Sequence, residues 1–256
     1  RISLAIDGTQ GNNSSSKASI SNDGRYITFQ SAASNLVADD TNNLRDIFVY
    51  NTQTGTTTRV NLASDGTQAN GAHSSSPSIS ADGRYITFQS DSNNLVDNDT
   101  NERKDIFVHD TQTGTTARVS VDSNGIPSNN SSINPSISSD GRYITFESDA
   151  NNLVDNNTNN YRDIFVHDTQ TGVTQRVNLH SDGTQANQHS HEVSISSDGR
   201  YITFQSDANN LVDNDINGQS DIFVHDTQAG TTTRVSADSD GIPSNNSSIN
   251  PSISSD

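Results

Sequence analysis

The chain repeats itself, and no other feature constrains its fold as strongly. Asp-Gly-Arg occurs at Asp23, Asp82, Asp140 and Asp198, in steps of 59, 58 and 58 residues. A fifth copy opens at Asp256, 58 residues further on. Each copy sits in nearly the same frame: Ser-Ile-Ser, Asp-Gly-Arg-Tyr-Ile-Thr-Phe, Asn-Leu-Val, Asp-Ile-Phe-Val, Thr-Arg-Val. A unit of about 58 residues cannot bury its apolar face alone, so the units must pack on one another.

Only 28% of the residues are hydrophobic and the formal net charge is −17, values that by themselves describe a disordered chain. The repeat argues otherwise, because the apolar residues fall in short alternating runs. Of the 31 acidic residues only Glu102, Glu147 and Glu192 are glutamates. The rest are aspartates, which shape turns and ligate hard cations. So acidic a chain repels nucleic acid and anionic lipid, and with lysine only at Lys17 and Lys104 there is no basic patch to offset this. Cysteine is absent, which excludes disulfides and thiolate chemistry. Apolar runs are far too short to insert into a membrane as helices. The chain opens at Arg1 in mid-repeat and reads as a mature segment of something longer.

Residues 76–120 show one unit. Ser76-Pro77-Ser78-Ile79-Ser80 leads into the turn at Asp82-Gly83. In the next run Tyr85, Thr87 and Gln89 fall on one face and Ile86 and Phe88 on the other, the period of a strand. A polar connection with Leu95-Val96 at its middle leads to a third strand, Asp105 to His109. A tight turn at Gly114 then returns the chain as a fourth, Thr115 to Ser120. Four antiparallel strands per repeat, without helical periodicity, predict an all-β β-propeller. Its blades would span about 18–61, 76–120, 134–178 and 192–236, as one array over 1–256. Residues 1–17 and 237–256 would supply inter-blade segments and part of a fifth blade. Tyr85, Ile86, Phe88, Ile106, Phe107 and Val108, with their counterparts, should carry the inter-blade core or its edges.

The frame Ser80-Ala81-Asp82-Gly83, followed by Ile-x-Phe and Asp105-Ile106-Phe107-Val108, resembles the WD40-like repeat of TolB-type bacterial propellers. The likeness runs through the whole chain and is similar to tandem arrays in secreted or surface bacterial proteins. The resemblance implies the fold and a place outside the cytoplasm. It says little about activity, since such propellers serve as scaffolds, docking surfaces and gates on enzymes.

The connection before the third strand is the candidate metal site. In repeat two, Asp97, Asp99, Asn101 and Asp105 stand at loop positions 1, 3, 5 and 9, the spacing with which an EF-hand loop wraps calcium. Repeat four offers Asp213, Asp215, Asn217 and Asp221, with Gly218 at the sharp-turn position. Repeat three offers Asp155, Asn157, Asn159 and Asp163; repeat one has Ala38 at position 1, leaving Asp40, Asn42 and Asp46. Locally this is similar to the calcium loops of integrin-type propellers. Two features depart from it: Glu102 stands where Gly is expected, and Val108 and Val224 occupy position 12. The expectation is weak Ca²⁺ binding, of order 10⁻⁴–10⁻³ M.

His109, His167 and His225 share a position that also accepts Tyr50, which marks it as structural or surface rather than ligating. His189 and His191 lie on one side of an extended segment, with His73 in the corresponding loop, and offer a second place for a metal. The arginines Arg25, Arg84, Arg142 and Arg200 are expected to pair with a blade aspartate or a turn carbonyl. Sequons occur at Asn12, Asn13, Asn98, Asn129, Asn130, Asn156, Asn245 and Asn246, as chance supplies in so Asn- and Ser-rich a chain. Serines and aspartates recur in every repeat, whereas a catalytic set breaks repeat symmetry, so no catalytic residue is assigned.

Residues 125–140 and 241–256 are identical, and Ser64–Asn70 reappears as Ser181–Asn187, so the inter-blade loops alternate between two types. Duplication of a two-blade segment accounts for this, as would a functional alternation along one rim. Arg1–Asp23 and Arg234–Asp256 occupy the same phase of the repeat. This leaves a fourth-strand equivalent at Arg1–Leu4 and a first-strand equivalent at Ser252–Ser254; the two middle strands between them either belong to native sequence beyond this segment or are supplied by a neighbouring copy, since unpaired strand edges invite another chain. The leading expectation is a non-enzymatic secreted or surface module, self-associating head-to-tail through these strands. Recognition of a glycan or protein through the loops, and service as a propeller appended to an enzyme, are the alternatives.

Overall fold

The computed structural model describes residues 1–71 and 73–254; the Asp-Gly-Arg copy opening at Asp256 lies outside them. Four meander sheets follow one another along the chain. Blade one comprises β1 (Ser15–Ile20), β2 (Tyr26–Ser31), β3 (Asp46–Asn51) and β4 (Thr56–Arg59). Blade two comprises β5 (Ser74–Ile79), β6 (Tyr85–Ser90), β7 (Asp105–Asp110) and β8 (Thr115–Arg118). Blade three comprises β9 (Ser132–Ile137), β10 (Tyr143–Ser148), β11 (Asp163–Asp168) and β12 (Val173–Arg176). Blade four comprises β13 (Ser190–Ile195), β14 (Tyr201–Ser206), β15 (Asp221–Asp226) and β16 (Thr231–Arg234).

The second and third strands pair without interruption, which sets a phenylalanine directly opposite a phenylalanine in every blade. The rings of Phe29–Phe48, Phe88–Phe107, Phe146–Phe165 and Phe204–Phe223 stack with centroids 5.8 Å apart. First strands are less regular. Each breaks register against its neighbour. The bulge residue, Lys17, Ser76, Asn134 or Glu192, has a positive φ of 50–54°. The bulge explains why β5 begins at Ser74, two residues before the start suggested by alternation, and tolerates Pro77 within it.

The chain divides by contact into two compact units, Arg1–Ser120 with Ser139–Gly141, and Val121–Ser138 with Arg142–Asp256. In the first, Ile47, Val49 and Val60 of blade one pack on Ile79, Ile86, Phe88 and Phe107 of blade two. In the second, Ile164, Val166 and Val177 of blade three pack on Ile195, Ile202, Phe204 and Phe223 of blade four. The Ile/Val face of one blade thus covers the Phe face of the next. A tyrosine closes each of these seams. A Cβ on Gly83 would lie 2.2 Å from the Tyr26 ring, and one on Gly199 2.1 Å from the Tyr143 ring, so the turn must be glycine there.

The partial fifth blade is not a sheet. Arg1–Leu4 contributes only the isolated bridge Leu4–Gln10, and residues 248–254 belong to no strand.

Candidate functional site

The predicted metal loops are built around an arginine. In blade two, Arg118 at the end of β8 turns back under the loop, and its Nη1 lies 3.0 Å from Asp99 Oδ1 and 3.0 Å from Asp105 Oδ2. Asp105, fully buried, also accepts from Ser120 Oγ at 2.6 Å and Asn101 Nδ2 at 2.9 Å. Arg59 does the same with Asp40 and Asp46, and Arg234 with Asp215 and Asp221. In blade three the set is Arg176 with Asp163 and the side-chain oxygen of Asn157. Asn42, Asn101, Asn159 and Asn217 each donate to the buried aspartate that opens the third strand.

The loop path does resemble a calcium turn, since Asn43, Glu102, Asn160 and Gly218 all hold positive φ at position 6. The donor set differs. Asp97, Asp155 and Asp213, at position 1, are exposed, and the charge between the buried carboxylates is a guanidinium. Among the described residues no three His, Cys, Asp or Glu side chains stand close enough to hold a metal ion. Burial, reinforced by the neighbouring aspartate and partly offset by arginine, raises the carboxyls of Asp40, Asp99 and Asp215 above the usual range.

The exits of the fourth strands show what the loop alternation does. Asn61 and Asn178 donate to Asp46 and Asp163, beside the buried Ala69 and Ala186. Ser120 and Ser236 take over that donation in the other two blades, and the loop after Ser120 carries the larger, buried Ser128 at the repeat position of Ala69 and Ala186. The two loop types are alternative ways of satisfying one buried carboxylate.

The Asp-Gly-Arg arginines stack on the following tyrosine, 4.8–5.0 Å from the ring centroid. Arg84, Arg142 and Arg200 also fork onto Asp110, Asp168 and Asp226. These hydrogen bonds hold the three carboxyls low, Asp110 at about 2. Asn51 stands at the matching position of blade one, and there Arg25 Nε is buried without a hydrogen-bond partner.

His109, His167 and His225 each bond through Nδ1 to a threonine of the fourth strand, at 2.8–3.0 Å. That threonine donates its own hydroxyl to the carbonyl of Leu62, Val121 or Leu179 in an inter-blade turn. The histidine therefore carries its proton on Nδ1. Burial lowers its pKa, and its role is to hold the turn. Tyr50 replaces it in blade one, where Thr57 bonds Leu4 directly.

One cluster in the second unit breaks the symmetry, and sequence reasoning overlooked most of it. Glu147 stands where the other second strands carry Gln30, Gln89 and Gln205. Buried, and with its carboxyl raised by that burial, it accepts from Asn134 Nδ2 and the Glu192 N–H at 2.9 Å. It thereby ties together the bulges of β9 and β13. Arg162 lies 3.6 Å from Glu147 and forks onto Asp149 at 3.0 and 2.9 Å. Tyr161 meets His189 edge-on, and His189 stacks on His191, which faces Asp207. The Arg162 N–H donates to His189 Nδ1, as the Arg45 N–H does to His73. Neutral His189 thus holds its proton on Nε2, leaving no outward lone pair for a metal. The three glutamates of the composition were the available signal, Glu147 among them.

Each unit also has a groove beside its seam. In the second it holds about 690 Å³, lined by Tyr143, Val173, Gln175, Gly199, Arg200 and Gln228 among others; its counterpart in the first holds about 290 Å³.

No protein-family model matches the chain, and neither does any curated protein. Solved structures do. TolB from Acinetobacter baumannii aligns over 89% of this chain and 44% of its own, with TM-score 0.53 and 16% identity. A prolyl endopeptidase aligns over 91% of this chain and 30% of its own, with TM-score 0.53 and 13% identity. An acylaminoacyl peptidase aligns over 87% and 32%, with TM-score 0.50 and 14% identity. The chain spans less than half the length of each. Together with the four meander sheets, this gives the chain a TolB-type β-propeller repeat fold.

Proposed function

We propose that the chain is a non-enzymatic structural module, secreted or at the cell surface, that works by packing its blades onto further blades. The observation that carries this reading is the state of its two outer blade faces. Ile20 on blade one is 58% exposed, whereas its counterparts Ile79 and Ile195 are 7% exposed. Val235 after blade four is 51% exposed, whereas Val60 and Val177 are 1% exposed. Ile27 on one side and Ile222 on the other are likewise only half-buried where their equivalents are buried. These are the two halves of the interface each unit makes internally, so they complement each other without further design. A heterologous contact of this kind propagates from copy to copy. The charged clusters support the same reading, because their arginines and carboxylates are paired with one another rather than presented to a substrate.

Val235→Asp tests it. The side chain is half exposed in the isolated chain, so the variant should melt within a few degrees of wild type while losing concentration-dependent association in sedimentation. Unchanged association would remove the blade-four face from the account. Recognition of a glycan or protein is the second reading, favoured by the larger groove at the Tyr143–Gly199 seam. Binding on a glycan array that Gln175→Ala or Gln228→Ala removes would support it.

A further inference from the structure

Two histidines travel with one of the two inter-blade loop types. His73 and His189 follow the loops that read Ser-Asp-Gly-Thr-Gln-Ala-Asn, whereas the other type carries Ser131 at that position. His189 stands at the entrance to β13 of blade four, and two hydrogen bonds join it to the loop before β11 of blade three. The Arg162 N–H donates to His189 Nδ1 at 3.0 Å, and the Ser190 N–H donates to the Arg162 carbonyl at 3.0 Å. In the first unit Arg45, His73 and Ser74 make the same pair of bonds, at 2.9 Å each.

The direction of the first bond matters. His109, His167 and His225 carry their proton on Nδ1, so a second proton, arriving at Nε2, leaves their threonine bonds in place. His189 accepts at Nδ1. A second proton can go only there, where it would point at the Arg162 N–H and end the bond.

The neighbouring charges do not replace what is lost. The groups around His189 are Tyr161 and Arg162 from the loop before β11, Glu147 and Asp149 from the end of β10, His191 and Glu192 on β13, and Asp207 after β14. Glu147 and Asp149 are engaged by Arg162, Asp207 lies 3.8 Å from His191, and Glu192 is exposed. His191 stacks on His189 with centroids 5.8 Å apart. Burial lowers the pKa of His191 against the pull of Asp207, and the Arg162 charge adds to the lowering. Acid therefore adds positive charge to a cluster that already holds a guanidinium.

We propose that His189 is an acid-released clasp: a proton at Nδ1 frees the loop carrying Tyr161 and Arg162 from the entrance of blade four. The apolar seam of Ile164, Val166 and Val177 with Ile195 and Ile202 stays closed beneath it, so the opening is local. Tyr161 loses its edge-on partner, and the Ser190 N–H bond alone remains at this point. His191 acts in the same direction. Its folded pKa is lowered, so its stabilisation is full above the unfolded value of about 6.5 and is lost as pH falls toward the folded one. Glu147, with its carboxyl raised, works the other way, since the penalty of its burial fades in acid. The alternation of loop types thus decides where along the chain a proton acts, at His189 and not at Ser131.

Nitrogen NMR of the imidazoles tests this on the full chain, with amide hydrogen exchange measured on the same samples from about pH 8 to about pH 5. At the upper end His189 should carry its proton on Nε2. As it takes a second, the protection of the Arg162 amide, corrected for the intrinsic exchange rate, should fall about tenfold or more with the same midpoint. His189→Asn offers an amide oxygen in place of Nδ1 and cannot titrate, so Arg162 should stay equally protected across the range. A proton on Nδ1 at the upper end, or Arg162 protection that is unchanged while His189 titrates, would overturn the clasp. A loss in His189→Asn equal to that of wild type would overturn it too, moving the cause to His191 or Glu147. If asparagine fails to protect Arg162 at any pH, the two wild-type midpoints decide: coincidence supports the clasp and separation sinks it.

Discussion

Each loop before a third strand buries one arginine against a carboxylate that opens the strand, and the repeats themselves contain a natural substitution series. Blades one, two and four add a second aspartate, Asp40, Asp99 or Asp215, whereas blade three has Asn157. The second carboxylate is therefore dispensable to the geometry and carries a surplus negative charge. Asp99→Asn should keep the fold and raise stability at pH 7 by up to about 1 kcal/mol. The sign follows from linkage. A carboxyl whose folded pKa is raised weakens the fold at neutral pH, and this weakening fades as pH falls through the folded pKa and is gone below the unfolded value of about 3.9. The gain over wild type should therefore be largest at pH 7 and close toward pH 4 in paired thermal melts. Arg118→Ala should cost about 3–5 kcal/mol, because it strands two buried carboxylates. With the guanidinium seated, millimolar Ca²⁺ or chelator should leave Tm unchanged; a rise of several degrees with Ca²⁺ would show the metal displacing it. The acidic spacing was plain in the sequence. The arginine's role was not, because Arg118 lies thirteen residues beyond Asp105 and only the return of the fourth strand brings them together.

At the scale of the element, period-2 alternation located the second and third strands because both faces of these strands are decided by packing. The first strands were harder, since the bulge at Lys17, Ser76, Asn134 and Glu192 interrupts alternation and puts a non-glycine residue at positive φ. Glycines separate two local effects. Gly83 and Gly114 have φ of 76° and 72°, but only Gly83 lies under a tyrosine ring. Gly114→Ala should cost about 1 kcal/mol, the penalty of the left-handed backbone alone. Gly83→Ala should cost about 2–4 kcal/mol, because the Tyr26 ring must also move. Denaturant melts of the two variants measure the difference, and equal costs would mean that the ring does not lock the seam.

For the whole molecule, the repeat length and four alternating strands per repeat made the propeller fold legible, and the comparison with TolB agrees. What stayed hidden was how the blades meet. Within each compact unit the Ile/Val face of one blade covers the Phe face of the next, and that pairing depends on which residues share a seam rather than on any local pattern. Once the seam is known, the exposed Ile20 and Val235 mark the two blade faces through which the proposed packing would run. Light-scattering mass across a concentration series of the full chain tests this most directly. The account predicts a mass that climbs from 27.4 kDa through its multiples as concentration rises. A mass fixed at 27.4 kDa at every concentration would contradict it.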